Sequence, residues 1–467
     1  MTTIVIIGGG VTGLSTAYYL NQLTRGAHSS VRLVVVEGSS ELGGKISTLR
    51  QGEYMMESGA DSIVSRKTNM EPLLEELGLH DELVYNATGK SYIHVDGELK
   101  LIPKDSMFGI PMTIESLAGS ALVSAEGKVE ALKDFYTPNE TFTKKDSIGR
   151  FLEAFLGQEL VEKQISPVLS GVYSGDLNEL TIASTLPYLL DYKNEYGSIM
   201  KGLEANRGTF QKGGDRKFYS FKNGLSTLID RMEQRLTGEA EFRKGVRAER
   251  IDRLDGRYGV VLANGETIEA DHVVIGTLHS AAQALLGSDE LTADFAELRN
   301  SSLISVYIGF DVPDERLPAD GTGFIAADGS ELVCNACTWT SRKWEHTSAS
   351  GRLLVRLFYK SSKSAYEKLS RMTDAELLKV AMQDAKDAMG IDAEPIHYDV
   401  TRWQDTMPNY HIRHPHIVAS LERKMEELFP NVLLAGCSYY GVGIPDCVAS
   451  GERTARRIAE RIAAKKA

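Results

Sequence analysis

A four-residue apolar strand, Ile4-Val5-Ile6-Ile7, runs into Gly8-Gly9-Gly10-Val11-Thr12-Gly13 and then into apolar positions at helical spacing from Leu14 to Leu23. Few folds accommodate that order. Gly8 permits a tight strand-to-helix turn, Gly10 lets the backbone approach a diphosphate, and Gly13 lets the helix pack closely on the strand. The diphosphate is expected at the positive end of the helix. With 43 glycines in 467 residues such a string arises by chance, so its context has to decide. A second buried strand, Leu33 to Val36, ends in Glu37, 24 residues after Gly13. A carboxylate there accepts hydrogen bonds from an adenosine ribose and repels a 2′-phosphate. The opening stretch is therefore read as a dinucleotide cradle.

The segment Glu41-Leu42-Gly43-Gly44-Lys45 narrows the choice. Gly38 and Gly43 have phosphate-loop separation, but the Lys comes one place late and Ile46 stands where a magnesium-binding hydroxyl belongs, so a nucleotide triphosphatase is rejected. A second glycine pair followed by a cation resembles instead the LGG(R/K) element of FAD-dependent amine oxidase-like proteins. There the backbone and the cation meet the FAD pyrophosphate and ribityl chain. Only one dinucleotide fingerprint is present, so no nicotinamide site is expected.

At 467 residues the chain exceeds one typical domain, and two or three domains sharing a large core are expected. A net charge of -12 argues against nucleic acid or an anionic membrane as principal partner, since both are polyanions. No apolar run reaches the roughly 18 residues of a spanning helix. The N-terminus opens directly into a strand, so no signal peptide is expected, and four cysteines fit a reducing cytoplasm. Cys334 and Cys337 form a CxxC without a second pair or a His cluster, and Leu332 to Trp339 reads as a strand that puts the thiols on opposite faces. Buried structural cysteine is the reading adopted, with no metal site.

Along the chain, ESGADSIVS (Glu57 to Ser65) is a glycine-containing turn beside the cradle, followed by Arg66 and Lys67. Helical periodicity returns at Met70 to Leu79, and SYIHVDGELKL (Ser91 to Leu101) is a hairpin turning at Asp96-Gly97. From about Lys104 to Lys217 the pattern is helical, with a glycine-rich break between helices at LSGVYSGD (Leu169 to Asp176). A stripe of Met107, Phe108, Ile110 and Met112 suits internal packing better than a membrane surface, though peripheral membrane contact is an open expectation. Strands are expected at Ala248 to Ile251, Val260 to Leu262, Leu303 to Phe310 and Leu353 to Tyr359, with a helix at Asp374 to Met389. Asp271 to Thr277 is a buried strand ending in a glycine turn and able to return to the first sheet, and Asn431 to Gly436 is a final buried strand. After GVGIPD (Gly441 to Asp446) comes a helix from about Cys447 to Ala464, with Pro445 suited to its first turn.

Taken together, GGGVTG, Glu37, LGGK, ESGADS, LSGVYSGD, CTWT, TRW and GVGIPD resemble the flavoprotein porphyrinogen oxidases of haem biosynthesis. The match is closest to the soluble Gram-positive type, the protoporphyrinogen or coproporphyrinogen III oxidases, and it spans essentially the whole chain. The resemblance implies an α/β fold with a discontinuous GR2-type FAD-binding domain (1–65, 218–298 and 395–467), a mixed-sheet substrate domain (66–103 and 299–394) and a helical domain (104–217). It implies noncovalent FAD held by Gly8, Gly9, Gly10, Val11, Thr12, Gly13, Glu37, Gly38, Gly44 and Lys45, and by Gly59, Ala60, Asp61 and Ser62 near the flavin. Ala248 is expected at the adenine, with Trp403, Val442, Gly443 and Ile444 closing over the isoalloxazine. Where relatives more often read ERGPDSF, this chain has Glu57 to Ile63 as ESGADSI, which changes the local turn and the charge near the flavin.

The implied reaction removes six hydrogens from a porphyrinogen in three two-electron transfers, giving coproporphyrin III from coproporphyrinogen III, or protoporphyrin IX from protoporphyrinogen IX. O2 reoxidises the flavin and leaves as H2O2. The cofactor carries the chemistry, so positioning is the protein's task and no side-chain base is required. Lys67, and less so Arg66, are candidates to pair with propionates. Gly171, Val172 and Tyr173 are expected to line the cavity. Transient contact with a ferrochelatase is a further expectation. The competing enzyme reading is an amine oxidase or desaturase flavoenzyme, and the competing non-enzyme reading is a flavin-dependent porphyrin carrier. Cys437 does not reproduce a covalent flavin motif, and neither GxSxG nor HExxH is present.

Overall fold

The strand Thr2–Ile7 carries the unbroken apolar run Ile4 to Ile7 because both of its faces are buried there. It lies at the centre of a five-stranded parallel sheet, in the spatial order Ala240–Lys244, Val31–Glu37, Thr2–Ile7, His272–Ile275, Val432–Leu434. Ile4 registers with Leu33 on one side and His272 on the other. Three distant stretches of chain therefore build one sheet. The computed structural model describes residues 1–25, 31–87, 89–173, 177–210 and 217–464.

One face of this sheet, through Ile4, Ile6, Leu33, Val35 and Val274, packs against the helix Val11–Thr24 and the C-terminal helix Ile444–Ala464. Val5, Ile7, Val34, Val36, Val273 and Ile275 face the other way, toward Ile251, Val260, Leu285 and Leu421. Each large apolar side chain buried in this manner contributes about 1.5–3 kcal/mol.

A seven-stranded sheet forms the second layer, in the order Pro395–Asn409, Arg299–Pro313, Arg352–Lys360, Ala336–Thr338, Gly321–Ala326, Lys90–Val95, Glu98–Leu101. It is mixed, since Gly321–Ala326 runs parallel to Lys90–Val95 while its other neighbours are antiparallel. The hairpin turns at Asp96 (φ 54°) and Gly97 (φ 77°), the conformation an Asp-Gly pair favours. Val355, Leu357 and Tyr359 are buried beneath the helix Asp374–Met389, which a reciprocal Thr373/Glu376 capping box starts. Strand alternation puts Arg356, Phe358 and Lys360 on the opposite face, toward the five-stranded sheet's loops.

Between the hairpin and the strand Phe218–Phe221 lies a helical unit with its own core, including Phe151, Phe155, Leu160 and Leu189. Its buried ion pair, Lys193 with Asp134 at 3.1 Å, is fully satisfied. Asp134 also accepts from Ser198 Oγ, Ile199 N and Met200 N. Ile110 and Met112 are buried in this core, and Met107 and Phe108 pack against it. The apolar stripe is therefore internal packing, and the membrane contact loses the feature that suggested it. Among the described residues no helix is long and apolar enough to cross a membrane.

Other expectations need correction. The strand expected over Leu332 to Trp339 is confined to Ala336–Thr338, because Val333 N and Cys334 N donate to the buried Asp384 carboxylate at 2.9 and 2.8 Å. The side chain takes the ladder's place. Cys334 and Cys337 consequently share one apolar cluster, and burial pushes both thiols up. Gly171, expected in a break, lies within the helix Ser166–Tyr173; residues 174–176 of that motif fall outside the described ones. Two stretches also pack across the expected domain division. The helix Glu71–Leu77 buries Leu73, Leu74 and Leu77 in the core of the five-stranded sheet, whereas 395–409 is an edge strand of the seven-stranded one.

Candidate active site

The glycine turn is shaped by what a side chain there would strike. Gly8 has φ +107°, and a Cβ on Gly13 would sit 1.9 Å from the Gly8 carbonyl oxygen. A Cβ on Gly10, by contrast, would meet only the Gly43 carbonyl, at 3.9 Å. Gly10 caps the helix Val11–Thr24 and has no side chain to satisfy the N–H groups freed in its first turn. Gly43 N donates to Gly9 O at 2.9 Å, which latches the LGGK segment onto the turn as its second wall. Gly44 (φ +61°) then faces Gly10, with its hypothetical Cβ 3.6 Å from the Gly10 Cα. Helix positive end and two opposed glycines leave a backbone-lined cradle that suits a diphosphate.

Glu37 ends the second strand as expected. Its carboxylate accepts from Gly9 N at 2.7 Å and Ser39 N at 2.8 Å, so its orientation is fixed. The Arg247 side chain lies over Gly38, where a Cβ would come 2.8 Å from its Cγ, and Val246 N donates to Glu37 O. Ala248 begins the strand Ala248–Leu254, paired with Leu262. The chain thus puts Val246 and Arg247 closer to the ribose acid than Ala248. The bulge between Ala248 and Arg250 is a register detail the apolar pattern did not carry.

Lys45 reaches the far end of the cradle, where its ammonium donates to Thr406 O and lies 3.7 Å from Cys437 Sγ. The Cys437 thiol is pulled below its ordinary range by a hydrogen bond from Cys447, with Lys45 adding to the effect against the opposing cost of burial. Tyr410 Oη donates to Cys437 O at 2.6 Å and accepts from Gly441 N at 2.7 Å, tying the last strand's exit to the GVGIPD loop. Val442 is exposed, Gly443 half-buried, and Ile444 buried where the C-terminal helix starts. That helix crosses the cradle helix closely, since a Cβ on Gly451 would stand 2.7 Å from Thr12 O.

The ESGADS turn lies between the cradle and the seven-stranded sheet. Ala60 N donates to Lys45 O at 3.0 Å, and a Cβ on Gly59 would be 2.1 Å from that same oxygen. From the sheet side, Arg356 donates to Ser58 O at 2.7 Å and Gly59 O at 3.0 Å, and Trp403 Nε1 donates to Ser58 O at 3.0 Å. Asp61 is paired with Lys343 at 3.0 Å and accepts from Ser62 Oγ. Burial would raise its carboxyl, but Lys343, Ser62 and Arg356 outweigh burial and hold it at about 2. Glu57 differs: burial pushes it up to about 7, against hydrogen bonds from Leu225 N and Thr48.

Beyond the turn, a cavity of about 210 Å³ lies on the free face of the seven-stranded sheet, its lining including Lys217, Phe218, Ile325, Ala336 and Lys343. Gly171 is exposed and adjoins it, 3.9 Å from Ile325 by its hypothetical Cβ; the side chains of Val172 and Tyr173 are outside the described ones. Lys67 is ion-paired with Asp446 in the first turn of the C-terminal helix, and Arg66 is exposed, 6.0 Å from the Phe108 ring. Sequence reasoning did not single out Lys343, Arg356, Tyr410 or Glu57. Arg356 did leave a trace, being a charge inside an otherwise apolar strand pattern.

A parallel sheet carrying a glycine cradle and a ribose acid, with a second mixed sheet clasping the loop beyond it, defines a dinucleotide-dependent flavoprotein oxidoreductase. The chain belongs to the flavin containing amine oxidoreductase family, whose model matches residues 11–459. It is 34% identical over 454 residues to coproporphyrinogen III oxidase of Bacillus subtilis, covering 96% of each chain. It is 31% identical to the enzyme of that name from Staphylococcus aureus, covering 98% of each. A crystal structure from Exiguobacterium sp. 255-15, provisionally named protoporphyrinogen oxidase, superposes with a TM-score of 0.89 at 30% identity, covering 98% of this chain and 99% of that one. A redesigned putrescine oxidase shares the fold at 14% identity, with a TM-score of 0.70.

Proposed function

We propose that this protein is a coproporphyrinogen III oxidase that holds FAD noncovalently and acts in haem biosynthesis with O2 as acceptor, releasing H2O2. The observation that carries the reading is the near full-length likeness to the Bacillus subtilis enzyme, 34% identical over 96% of the chain, in a protein whose glycine cradle is intact. Bound FAD supplies a two-electron acceptor. The chain's own residues do the positioning: the backbone from Gly8 to Gly13 and Gly44 receives the pyrophosphate, Glu37 and Gly38 the ribose, and Lys45 the ribityl end. Ser58 to Ser62, clamped by Arg356, Trp403 and Lys343, sets the floor on the flavin side, with Ala60 and Asp61 at the ring. Val442, Gly443 and Ile444 close it from the C-terminal helix, while Val246, Arg247 and Ala248 border the adenosine.

The substrate is a flexible macrocycle bearing carboxylates, and an apolar sheet face bordered by cations suits both of its characters. Lys67, Arg66, Gly171, Val172 and Tyr173 are assigned to the border of that face, and Lys67 is free for a propionate once that group displaces Asp446. In domain terms, 1–65, 68–85, 218–298 and 410–467 form the FAD unit, 66–67, 86–103 and 299–409 the substrate unit, and 104–217 the helical unit. Product handover to a ferrochelatase, at a membrane periphery or in solution, belongs to the same reading.

Purified protein in air is given coproporphyrinogen III and protoporphyrinogen IX separately, with porphyrin fluorescence and peroxide followed. Faster turnover of the tetracarboxylate with peroxide formed is expected. Turnover of neither would overturn the reading.

A further inference from the structure

Lys360 ends the strand Arg352–Lys360 and shares its face with Arg356 and Phe358, the face that carries the cavity rather than the one under the helix Asp374–Met389. It pairs across to Leu303, which pairs on to Trp403, so one row of the sheet runs from Lys360 to the tryptophan that clamps Ser58. Its ammonium approaches the Ser170 carbonyl at 3.5 Å, at the turn of helix that presents Gly171. Among the described residues no carboxylate lies within 4 Å of it. Its neighbours differ in this respect: Lys343 has Asp61, Lys67 has Asp446, and Arg356 has two carbonyls and Ser305. Burial alone acts on Lys360, and it lowers the amine's proton affinity. A half-buried ammonium whose one side-chain contact among the described residues is a long carbonyl approach carries an uncompensated desolvation cost. An anion delivered at that point relieves the cost.

We propose that Lys360 is a carboxylate-binding residue of the substrate cavity, pairing with an acidic side arm of the bound macrocycle at the end of the cavity nearest Ser170 and Gly171. The assignment rests on the porphyrinogen reading for the identity of the ligand. It supplies a fixed charge in addition to Lys67 and so bears on the number of carboxylates the site accepts.

The test uses FAD-loaded wild type, Lys360→Met and Lys360→Arg, with coproporphyrin III binding followed by fluorescence quenching and coproporphyrinogen III turnover followed in parallel. Lys360→Met is expected to weaken coproporphyrin III binding about ten- to a hundredfold, the range for one charge-assisted hydrogen bond, and to raise KM more than it lowers kcat. Lys360→Arg recovers most of the loss. The tetramethyl ester of coproporphyrin, which lacks the anions, binds wild type and Lys360→Met within about twofold of each other. Unchanged affinity of Lys360→Met for the acid, or equal losses for acid and ester, would overturn the proposal. Flavin absorbance checks that each variant is folded, and where Lys360→Met loses its FAD, Lys360→Gln takes its place with the same expected values. A wild type that binds coproporphyrin III but turns over no porphyrinogen sinks the functional reading and leaves Lys360 to be judged on the binding ratio, whereas a wild type that binds none sinks both.

Discussion

At the scale of single residues, electrostatic surroundings separate groups that look alike in sequence. Cys334 and Cys337, read as buried structural thiols, are pushed up, and so is Cys447. Cys437 goes the other way, because Cys447 donates to it and Lys45 stands 3.7 Å away. It is therefore expected to react with iodoacetamide in FAD-stripped protein at pH 7, where an ordinary thiol of about 8.5 is still protonated. Peptide mass spectrometry should find Cys437 alkylated first and the other three protected until denaturant is added. Lys45→Met should slow it toward an unperturbed rate; labelling of Cys334 or Cys337 ahead of Cys437 would contradict the assignment. No spacing rule could have revealed this, since Lys45 and Cys437 are brought together only by the sheet.

At the scale of elements, the strand–turn–helix cradle was legible because its constraints are local: a Cβ at Gly13 collides with an atom five residues away in its own turn. Gly13→Ala is expected to cost about 1–3 kcal/mol, the usual range for overpacking. It should also leave purified protein with little flavin, read from the ratio of absorbance at flavin and protein wavelengths. Glu57 is the element-scale counterpart that sequence did not show. It accepts from Leu225 N at 2.8 Å and from Thr48 Oγ1, and so holds the start of the helix Ser226–Leu236 to the strand Tyr54–Glu57. Its folded pKa of about 7 lies above the ordinary 4.5, so the folded state binds the proton more tightly. Its contribution is fully present below the ordinary value and is lost as pH rises through 7. Glu57→Gln, which keeps an acceptor for Leu225, should flatten the pH dependence of the urea midpoint between about 4.5 and 7. Above pH 7 it should exceed wild type by up to about 3 kcal/mol.

At the scale of the molecule, what was hidden was how the two sheets are joined. The run of strands and helices gave the returning strand His272–Ile275 and the final buried strand Val432–Leu434, because buried runs bounded by glycine are a local pattern, whereas the mixed sheet came from the family resemblance. The clasp is not local: Arg356 and Trp403 come from two strands of one sheet and meet on the Ser58 carbonyl beside the other. Arg356 is only 2% exposed, its charge carried by Ser58 O, Gly59 O and Ser305 Oγ and flanked by the rings of Tyr307 and Phe358. Arg356→Met removes donors from two carbonyls at once and is expected to cost about 3 kcal/mol or more, at 1.5–3 kcal/mol per charged hydrogen bond. Trp403→Phe keeps the ring, removes one neutral donor, and should cost about 1 kcal/mol. Because both donors serve one oxygen, the double variant should lose less than the sum of the two: with Arg356 gone, the turn is already released, and Trp403 has less to hold. Urea midpoints of the four proteins give the coupling directly, and flavin fluorescence gives its consequence, since a released turn admits solvent to the ring. Strict additivity with unchanged flavin emission would mean that the turn keeps its place without the sheet, and that the clasp serves stability alone.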